Sequence, residues 1–267
     1  MHRLLGCAPK RKQVTHANQQ RSRVSQWADV TAIAIYLVPL DNMSKDHSLT
    51  DRIPSAIISE VRKMMPCTAL FHEAMGKRGN MIPSIKPIAQ DTVIVGPART
   101  VKSEPGDNLM LHRALLEAKR SEVIVADCQG HLEYGYWGEF MSSVAMVRGI
   151  EGLVIDGGVR DATAIRRMGF GVFARGISVA GTSKRATGIL NETITCGGVE
   201  VSPGDLILGD YDGVVVVPSN KAAEVLASAK EKAGKEKADL RSILEGKMNY
   251  EEFLRKNGWL TGNLARE

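Results

Sequence analysis

Long hydrophobic runs are missing from this sequence of 267 residues. A membrane-spanning helix needs about 18 or more consecutive apolar residues, and the nearest approach, from Ala28 to Leu40, is shorter than that. This run follows a long polar stretch instead of a compact charged one, which argues against a secretory signal. We therefore expect a protein that has no contact with membranes and works in the cytoplasm.

Paired cysteines are missing as well. The four cysteines, Cys7, Cys67, Cys128 and Cys196, form no CxxC pair and lack the spacing of a zinc finger. A disulfide framework and a cysteine-based metal site are therefore excluded, and the pattern predicts reduced thiols with a structural role.

A concentrated positive charge is absent from most of the chain, although the net charge is +5. The first 43 residues hold six basic and two acidic residues. Subtracting them from the totals of 35 and 30 leaves 29 basic and 28 acidic residues. Because the remainder is nearly neutral, no nucleic-acid partner is expected.

The N-terminal stretch itself has two possible explanations. Its arginine-rich, acid-poor composition is similar to that of a transit peptide. Alternatively, Met43 is the true start and the preceding segment is an artefact of start-site assignment. In both cases we expect residues 1–43 to be disordered or absent in the working protein, and residues 44–267 to form a single domain.

Helical and strand patterns alternate after residue 50. Helical spacing of apolar residues is seen at Ile53–Val61, Thr68–Gly76, Asn108–Arg120, Phe140–Arg148 and, as a long charged C-terminal helix, 220–247. Runs rich in Val and Ile predict strands at Thr92–Val101, Val123–Asp127, Leu153–Ile155, Gly171–Phe173, Glu192–Thr195, Val199–Val201, Leu206–Leu208 and Val214–Val217. Helices between the early strands indicate right-handed crossovers and a parallel part of the sheet, so the fold class is α/β.

The most informative segment covers residues 152–161, with the sequence Gly-Leu-Val-Ile-Asp-Gly-Gly-Val-Arg-Asp. Its apolar strand runs directly into Arg160 and Asp161. One guanidinium and one carboxylate at a strand end can form a site for a metal and an anionic substrate. A second interpretation remains open, in which Asp161 only caps the helix predicted at 162–168.

A second segment of this kind is Gly135-Tyr136-Trp137-Gly138-Glu139-Phe140-Met141, where an apolar run ends in a glycine and a helix begins. The first backbone N–H groups of such a helix are free to bind an anion. The 22 positions between Glu139 and Asp161 accommodate one helix, a turn and one strand, which brings both carboxylates to the same end of a sheet. Glu139 has a simpler alternative role as an acid that stabilises the helix start.

These segments carry a family resemblance. Trp-Gly-Glu at 137–139 and Arg-Gly-Ile-Glu-Gly-Leu-Val-Ile-Asp-Gly-Gly-Val-Arg-Asp at 148–161 resemble the class II pyruvate aldolases of the 4-hydroxy-4-methyl-2-oxoglutarate and 4-carboxy-4-hydroxy-2-oxoadipate type. That superfamily also contains the regulators of ribonuclease E activity A. Further matching segments lie at 95–101, 107–112, 195–199, 203–205 and 210–214. The resemblance implies a three-layer α/β/β fold similar to the swivelling β/β/α domains, with a long C-terminal helix.

The resemblance also implies an activity, namely retro-aldol cleavage of a 4-hydroxy-2-oxo acid to pyruvate and a second oxo compound. Oxaloacetate decarboxylation is expected as a side activity, because both reactions generate the enolate of pyruvate. The implied cofactor is Mg²⁺ or Mn²⁺, and the implied assembly is a homotrimer or hexamer with the site at the subunit interface. The alternative is a non-catalytic regulator of a partner such as a ribonuclease. Regulators of this superfamily tend to lack the acid after the arginine.

Site residues follow by the same resemblance. Asp161 corresponds to the metal ligand, and Arg160 to the residue that pairs with the substrate's carboxylate or carbonyl oxygen. The substrate carboxylate is expected at Gly138 and at the backbone amides of Glu139, Phe140 and Met141. Glu139 stands where the family usually has an Asp that acts on metal-bound water.

One more carboxylate is expected from the long C-terminal helix of a neighbouring subunit. Ungapped spacing after Asp161 selects Glu236 for this role, and Glu231 is the second candidate. For both residues an alternative remains open, in which they are solvated acids on the helix surface without a role in the site.

Other candidates have weaker support from the residues themselves. A Schiff-base mechanism is disfavoured because Lys102 and Lys184 do not lie in strongly apolar surroundings. Asp156 is predicted to have a structural role, in which it orients the Arg160 turn or binds backbone amides. His72 and His112 are predicted to be surface or satisfied histidines. A methyltransferase is excluded because residues 95–98, Val-Gly-Pro-Ala, do not form a glycine-rich cofactor loop.

Overall fold

A computed structural model describes residues 53–185 and 188–261. The predictions for residues 1–43 therefore lie outside the described residues. The helices are α1 (Ser55–Met64), α2 (Thr68–Ala74), α3 (Leu109–Glu117), α4 (Glu139–Arg148), α5 (Ala162–Met168), α6 (Ala222–Leu244) and α7 (Tyr250–Lys256). The strands are β1 (Lys86–Pro87), β2 (Ile94–Lys102), β3 (Val123–Asp127), β4 (Gly135–Trp137), β5 (Gly152–Val159), β6 (Gly171–Ile177), β7 (Ile189–Leu190), β8 (Ile194–Cys196), β9 (Val199–Val201), β10 (Leu206–Asp210) and β11 (Gly213–Val217).

The main sheet has the strand order β1-β6-β5-β3-β2-β10-β11. Strands β2, β3, β5 and β6 run parallel to one another, whereas β1 is antiparallel to β6, β10 to β2, and β11 to β10. The short strand β4 pairs in parallel with β5, and β7 pairs with β2. The predicted parallel part of the sheet is therefore confirmed. Its strands are buried along most of their length, as is typical when both faces of a parallel sheet are covered.

Three groups of elements pack against this sheet, which is itself the middle layer. Helices α3, α4 and α5 cover one face and pack residues such as Leu111 and Ile165 against Leu153. The β8–β9 hairpin covers the other face, where Ile194 packs into the cluster around Phe173. Helices α1, α2 and α6 pack on β10 and β11 in a third apolar cluster. The predicted three-layer α/β/β fold with a long C-terminal helix is confirmed.

Several short elements differ from the sequence prediction. Strand β5 continues through Gly157 and Gly158 to Val159, four residues beyond the predicted end, because its neighbours supply pairing partners there. The short strands β1 and β7 were not predicted, since a two-residue strand has no periodicity of its own. Helix α7 was also not predicted, although Asn249 and Glu252 form a capping box at its start. In the described ranges, no helix is both long and apolar enough to cross a membrane.

Candidate active site

The site lies where two parallel strands end side by side. Trp137, the last residue of β4, pairs with Val159, the last residue of β5. The N–H of Arg160 donates to the carbonyl oxygen of Trp137 at 2.8 Å. The residues that follow both strands therefore meet at the carboxyl edge of the sheet, which is where open α/β sheets bind their ligands.

Asp161 has an unusual backbone conformation, with φ 55° and ψ 32°, in the left-handed region that residues with a Cβ rarely adopt. Its side chain makes no capping bond to its own helix α5. Instead, its Oδ2 accepts the backbone N–H of Glu139 at 3.1 Å, so it caps the start of α4. The interpretation of Asp161 as the cap of the following helix is therefore wrong. The carboxylate is turned towards the segment predicted to share the site with it.

Arg160 approaches the same place through space left by two glycines. Its Nε lies 3.7 Å from Asp161 Oδ2, and both side chains are about half exposed. A Cβ added at Gly138 would come within 2.4 Å of Asp161 Oδ2 and 3.0 Å of Arg160 Cγ. At Gly135 it would come within 2.7 Å of Arg160 Cβ. The two glycines of the 135–138 segment are thus needed for the close approach of the Arg160–Asp161 pair.

A cavity of about 300 Å³ opens next to this pair. Helix starts, strand ends and one loop contribute to its wall, which consists of Asn108, His112, Gly135, Tyr136, Gly138, Phe140, Met141, Arg160, Asp161, Gly181, Thr182 and Lys184. The predicted residues Gly138, Phe140, Met141, Arg160 and Asp161 are all included. The volume suits a small molecule of the size of a short-chain acid.

Asn108, His112, Tyr136 and Lys184 complete the cavity, and sequence reasoning assigned none of them to it. His112 was expected to be a surface or satisfied histidine. In the structure it is half-buried in the cavity wall, and its pKa is lowered by burial and by the positive charge of Lys184. The sequence does contain a signal for this shared placement, because Asn108 and His112 are four residues apart at the start of a helix and therefore lie on one face.

The loop that carries Lys184 is held to the start of α3. The Ser183 N–H donates to the Gly106 carbonyl oxygen at 2.8 Å, and the Asn108 N–H donates to the Ser183 carbonyl oxygen at 3.1 Å. A carboxylate oxygen of Asp107, Oδ2, accepts the backbone N–H of Arg185 at 2.6 Å. These bonds position the loop as the wall of the cavity.

The N-terminus of α4 presents free backbone donors to the cavity. Glu139 uses its N–H for Asp161, whereas the N–H groups of Phe140 and Met141 have no acceptor in the described part of the chain. The side chain of Glu139 is exposed and is not part of the cavity wall. In this structure it is the backbone N–H of Glu139 that contacts the Asp161 side chain.

The C-terminal candidates lie elsewhere in the single chain. Helix α6 packs chiefly against α2 and α1, which contribute no residue to the cavity. Glu236 and Glu231 are both exposed. Glu231 pairs with Lys235 at 2.6 Å, and this partner lowers the pKa of the Glu231 carboxyl. Only a neighbouring subunit could bring either acid to a site of this kind.

The residues present fit a magnesium-like ion with few protein ligands. Among residues 53–185 and 188–261, no three His, Cys, Asp or Glu side chains are grouped so that they could hold a metal. Asp161 is about 43% exposed, and its Oδ1 has no hydrogen-bond partner among the described residues. Because Mg²⁺ commonly keeps several waters and takes one or two carboxylates, this donor is compatible with direct coordination.

Two other predictions can be compared with the structure. Asp156 accepts the N–H of Gly197 at 3.1 Å and the guanidinium of Arg175 at 2.9 Å, which confirms its structural role. The three cysteines in the described residues are free. Burial raises the pKa of the Cys196 thiol and that of the Cys67 thiol, the latter to about 12.

Comparisons with known proteins identify relatives of this chain. The chain is 39% identical to the protein named "Putative 4-hydroxy-4-methyl-2-oxoglutarate aldolase" of Halalkalibacterium halodurans over 189 residues, which cover 71% of this chain and 90% of that protein. The solved structure of RraAS2 from Streptomyces coelicolor, described as an unusual member of the RNase ES inhibitor RraA family, is 26% identical with a TM-score of 0.63. It covers 71% of this chain and 99% of its own.

A second solved structure, the RNA-processing inhibitor RraA from Thermus thermophilis, is 25% identical with a TM-score of 0.53. It covers 57% of this chain and 92% of its own. The family model for RraA-like proteins, Aldolase/RraA, matches residues 51–216, which is more than half of the chain. The protein therefore belongs to the RraA-like family.

Proposed function

We propose that this protein is a metal-dependent pyruvate aldolase. It cleaves a 4-hydroxy-2-oxo acid into pyruvate and a second oxo compound, and it decarboxylates oxaloacetate as a side activity. The observation that carries the proposal is the Arg160–Asp161 pair at the wall of a small cavity, with the Asp161 carboxylate held by the Glu139 N–H at 3.1 Å. The relative from Halalkalibacterium halodurans, which is named for this reaction, supports the same assignment.

The reaction requires stabilisation of negative charge on the pyruvate fragment as the carbon–carbon bond breaks. A divalent ion such as Mg²⁺ or Mn²⁺, held by Asp161, would supply positive charge for the developing enolate. Arg160 offers a planar array of donors that suits the 2-oxo acid's carboxylate or carbonyl oxygen. Its Nε lies 3.7 Å from Asp161 Oδ2, so it reaches the same part of the cavity.

The carboxylate of the substrate also needs a fixed position. The free N–H groups of Phe140 and Met141 at the start of α4 form an anion-binding position, and the helix dipole strengthens it. Because Phe140 is 72% exposed in the single chain, this edge of the cavity has room for a neighbouring subunit. We propose a homotrimer or hexamer in which α6 of a neighbour adds a carboxylate, with Glu236 as the first candidate and Glu231 as the second.

The experiment is a pyruvate-release assay, coupled to lactate dehydrogenase, on 4-hydroxy-4-methyl-2-oxoglutarate, 4-carboxy-4-hydroxy-2-oxoadipate and oxaloacetate. The protein is assayed with Mg²⁺ or Mn²⁺ and then with a chelator. Asp161→Ala is expected to lose about 10²-fold or more in kcat/KM. Asp91→Ala, at an exposed turn away from the cavity, is the matched control and is expected to keep wild-type activity. Activity that survives both chelation and Asp161→Ala would refute the metal mechanism.

The second candidate is a non-catalytic regulator, because one structural neighbour is described as an RNA-processing inhibitor and another as an unusual member of an RNase inhibitor family. The same experiment separates the two functions. If a folded, metal-loaded sample releases no pyruvate from any of the three substrates, the regulator becomes the better assignment. Light scattering tests the assembly, and a stable, active monomer would remove Glu236 from the site.

A further inference from the structure

Asn108 carries an unused hydrogen-bond acceptor at the cavity wall. The residue is 5% exposed, and its Nδ2 donates to the carbonyl oxygen of Tyr136 at 2.8 Å. Since a carbonyl can only accept, this bond fixes the orientation of the amide. The remaining atom, Oδ1, is buried and has no partner among the described residues. A buried acceptor without a donor costs about 1–3 kcal/mol. Asn108 belongs to the cavity wall, where a bound molecule can supply that donor.

His112 lies one helical turn after Asn108 and lines the same cavity. Neither of its ring nitrogens has a hydrogen-bond partner in the described part of the chain, although the side chain is half-buried. Burial and the charge of Lys184 lower its pKa, so the imidazole is neutral near pH 7 and can accept a proton. Other charged groups around the cavity and on or beside the α3 helix include Arg160, Asp161, Asp107, Arg148, Arg113 and Glu117.

Retro-aldol cleavage needs a group that can accept a proton. The hydroxyl at C4 of the substrate must lose its proton before the C3–C4 bond can break. The Glu139 carboxylate is exposed and does not line the cavity, so it does not provide the acceptor in the single chain. Building on the proposed function, we propose that Asn108 Oδ1 positions the C4 hydroxyl of the substrate and that His112 accepts its proton.

The step balances without any added reactant. The proton passes from the C4 hydroxyl to a ring nitrogen of His112, which becomes an imidazolium, and the O–H electron pair forms the C4 carbonyl bond. The C3–C4 bond breaks, and its electron pair forms the enolate of pyruvate. Water then protonates C3, and the hydroxide left behind takes the proton from His112. Asn108 acts as a positioning residue and His112 as a catalytic one.

Oxaloacetate provides the discriminating substrate, because its decarboxylation forms the same enolate without removing a hydroxyl proton. His112→Gln is assayed for pyruvate release from 4-hydroxy-4-methyl-2-oxoglutarate and from oxaloacetate. We expect a loss of about 10²-fold or more in kcat/KM with the hydroxy acid and a loss at least about tenfold smaller with oxaloacetate. The matched control is His72→Gln, a partly buried histidine on α2 that is outside the cavity wall and bonded to the Arg78 carbonyl, which should retain both activities.

The outcomes separate the two proposals. Equal losses on both substrates, or no loss on either, would overturn the role of His112 and leave the aldolase function in place. A wild-type protein that releases pyruvate from neither substrate would overturn the aldolase function, and the role of His112 with it.

A second measurement needs no variant and covers the case in which His112→Gln does not fold. In the wild-type protein, the ratio of kcat/KM for the hydroxy acid to kcat/KM for oxaloacetate should fall as the pH drops, since protonated His112 cannot accept a proton. Because burial and Lys184 lower the pKa of His112, this ratio should fall at pH values below the ordinary titration range of an imidazole. Taking the ratio cancels titrations that affect both substrates equally. A ratio that stays constant through the acidic range would refute the proposal.

Discussion

Gly138→Ala tests whether the position of the Asp161 carboxylate controls activity. Gly138 precedes α4 with φ −151° and ψ −166°, an extended conformation open to residues with a Cβ. The substitution therefore causes little backbone strain and acts mainly through the new methyl group. That group would lie 2.4 Å from Asp161 Oδ2, where ordinary contact begins at 3.4 Å. The carboxylate must move by about 1 Å, and the Glu139 N–H bond to Oδ2 must lengthen or break.

The expected effect follows from this displacement. Misplacement of a reacting group by about 1 Å costs about 10²-fold in rate, which corresponds to about 2.7 kcal/mol of transition-state stabilisation. The same substitution should lower the free energy of unfolding by only about 1 kcal/mol, the typical cost of replacing a favoured N-cap residue by Ala. Activity should therefore fall much more than stability.

The assay is metal-supported pyruvate release from oxaloacetate and 4-hydroxy-4-methyl-2-oxoglutarate, with urea unfolding measured on the same sample. Gly181→Ala is the matched control, because its Cβ would lie 3.9 Å from Arg160 Nη1, an ordinary contact. Its loss should stay within about threefold, since no atom is displaced. If folded Gly138→Ala retained activity as well as Gly181→Ala does, the geometry of Asp161 would not control the reaction.

Three further predictions concern charge and burial. Glu122→Gln should lower the free energy of unfolding by about 3–5 kcal/mol, because Arg99 would remain buried without its ionic partner at 3.0 Å; urea denaturation with less than 1 kcal/mol lost would contradict this. Arg160→Lys should raise KM for the 2-oxo acids in steady-state kinetics, since an ammonium cannot replace the bidentate contact, and an unchanged KM would argue against carboxylate binding. Cys67 should resist alkylation at pH 8, because burial and the charge of Asp210 raise its pKa to about 12. Its labelling rate, followed by mass spectrometry, should rise about tenfold per pH unit, and fast labelling at pH 8 would refute the assignment.

Local sequence patterns predicted most of the regular fold. The Val- and Ile-rich runs at β2, β3 and β5 are buried strands, and the alternation with helices indicated that they run parallel. These features depend on neighbours only a few positions apart, so they can be read from the chain directly. The two-residue strands β1 and β7 could not be predicted in this way, because distant strands supply their hydrogen bonds.

Some features of the candidate site could likewise be predicted from the sequence, and others could not. Arg160 and Asp161 were found from the sequence because one helix, one turn and one strand connect them to the 135–141 segment, and such a unit has few possible arrangements. The contact between the Glu139 N–H and Asp161 matches that expectation. Sequence spacing did not show that Asp161 caps α4 and not α5, since the choice depends on its left-handed backbone.

By itself, then, the sequence determined the α/β class, the long C-terminal helix and the arginine–aspartate pair at a strand end. Only the tertiary structure decided that His112, predicted to be a surface or satisfied residue, lines the cavity with Asn108 and Lys184. The physical reason is distance along the chain. Lys184 lies more than 70 positions after Asn108, and hydrogen bonds between the Ser183 loop and the start of α3 bring them together. No local periodicity records such a contact, although it determines which side chains face a substrate.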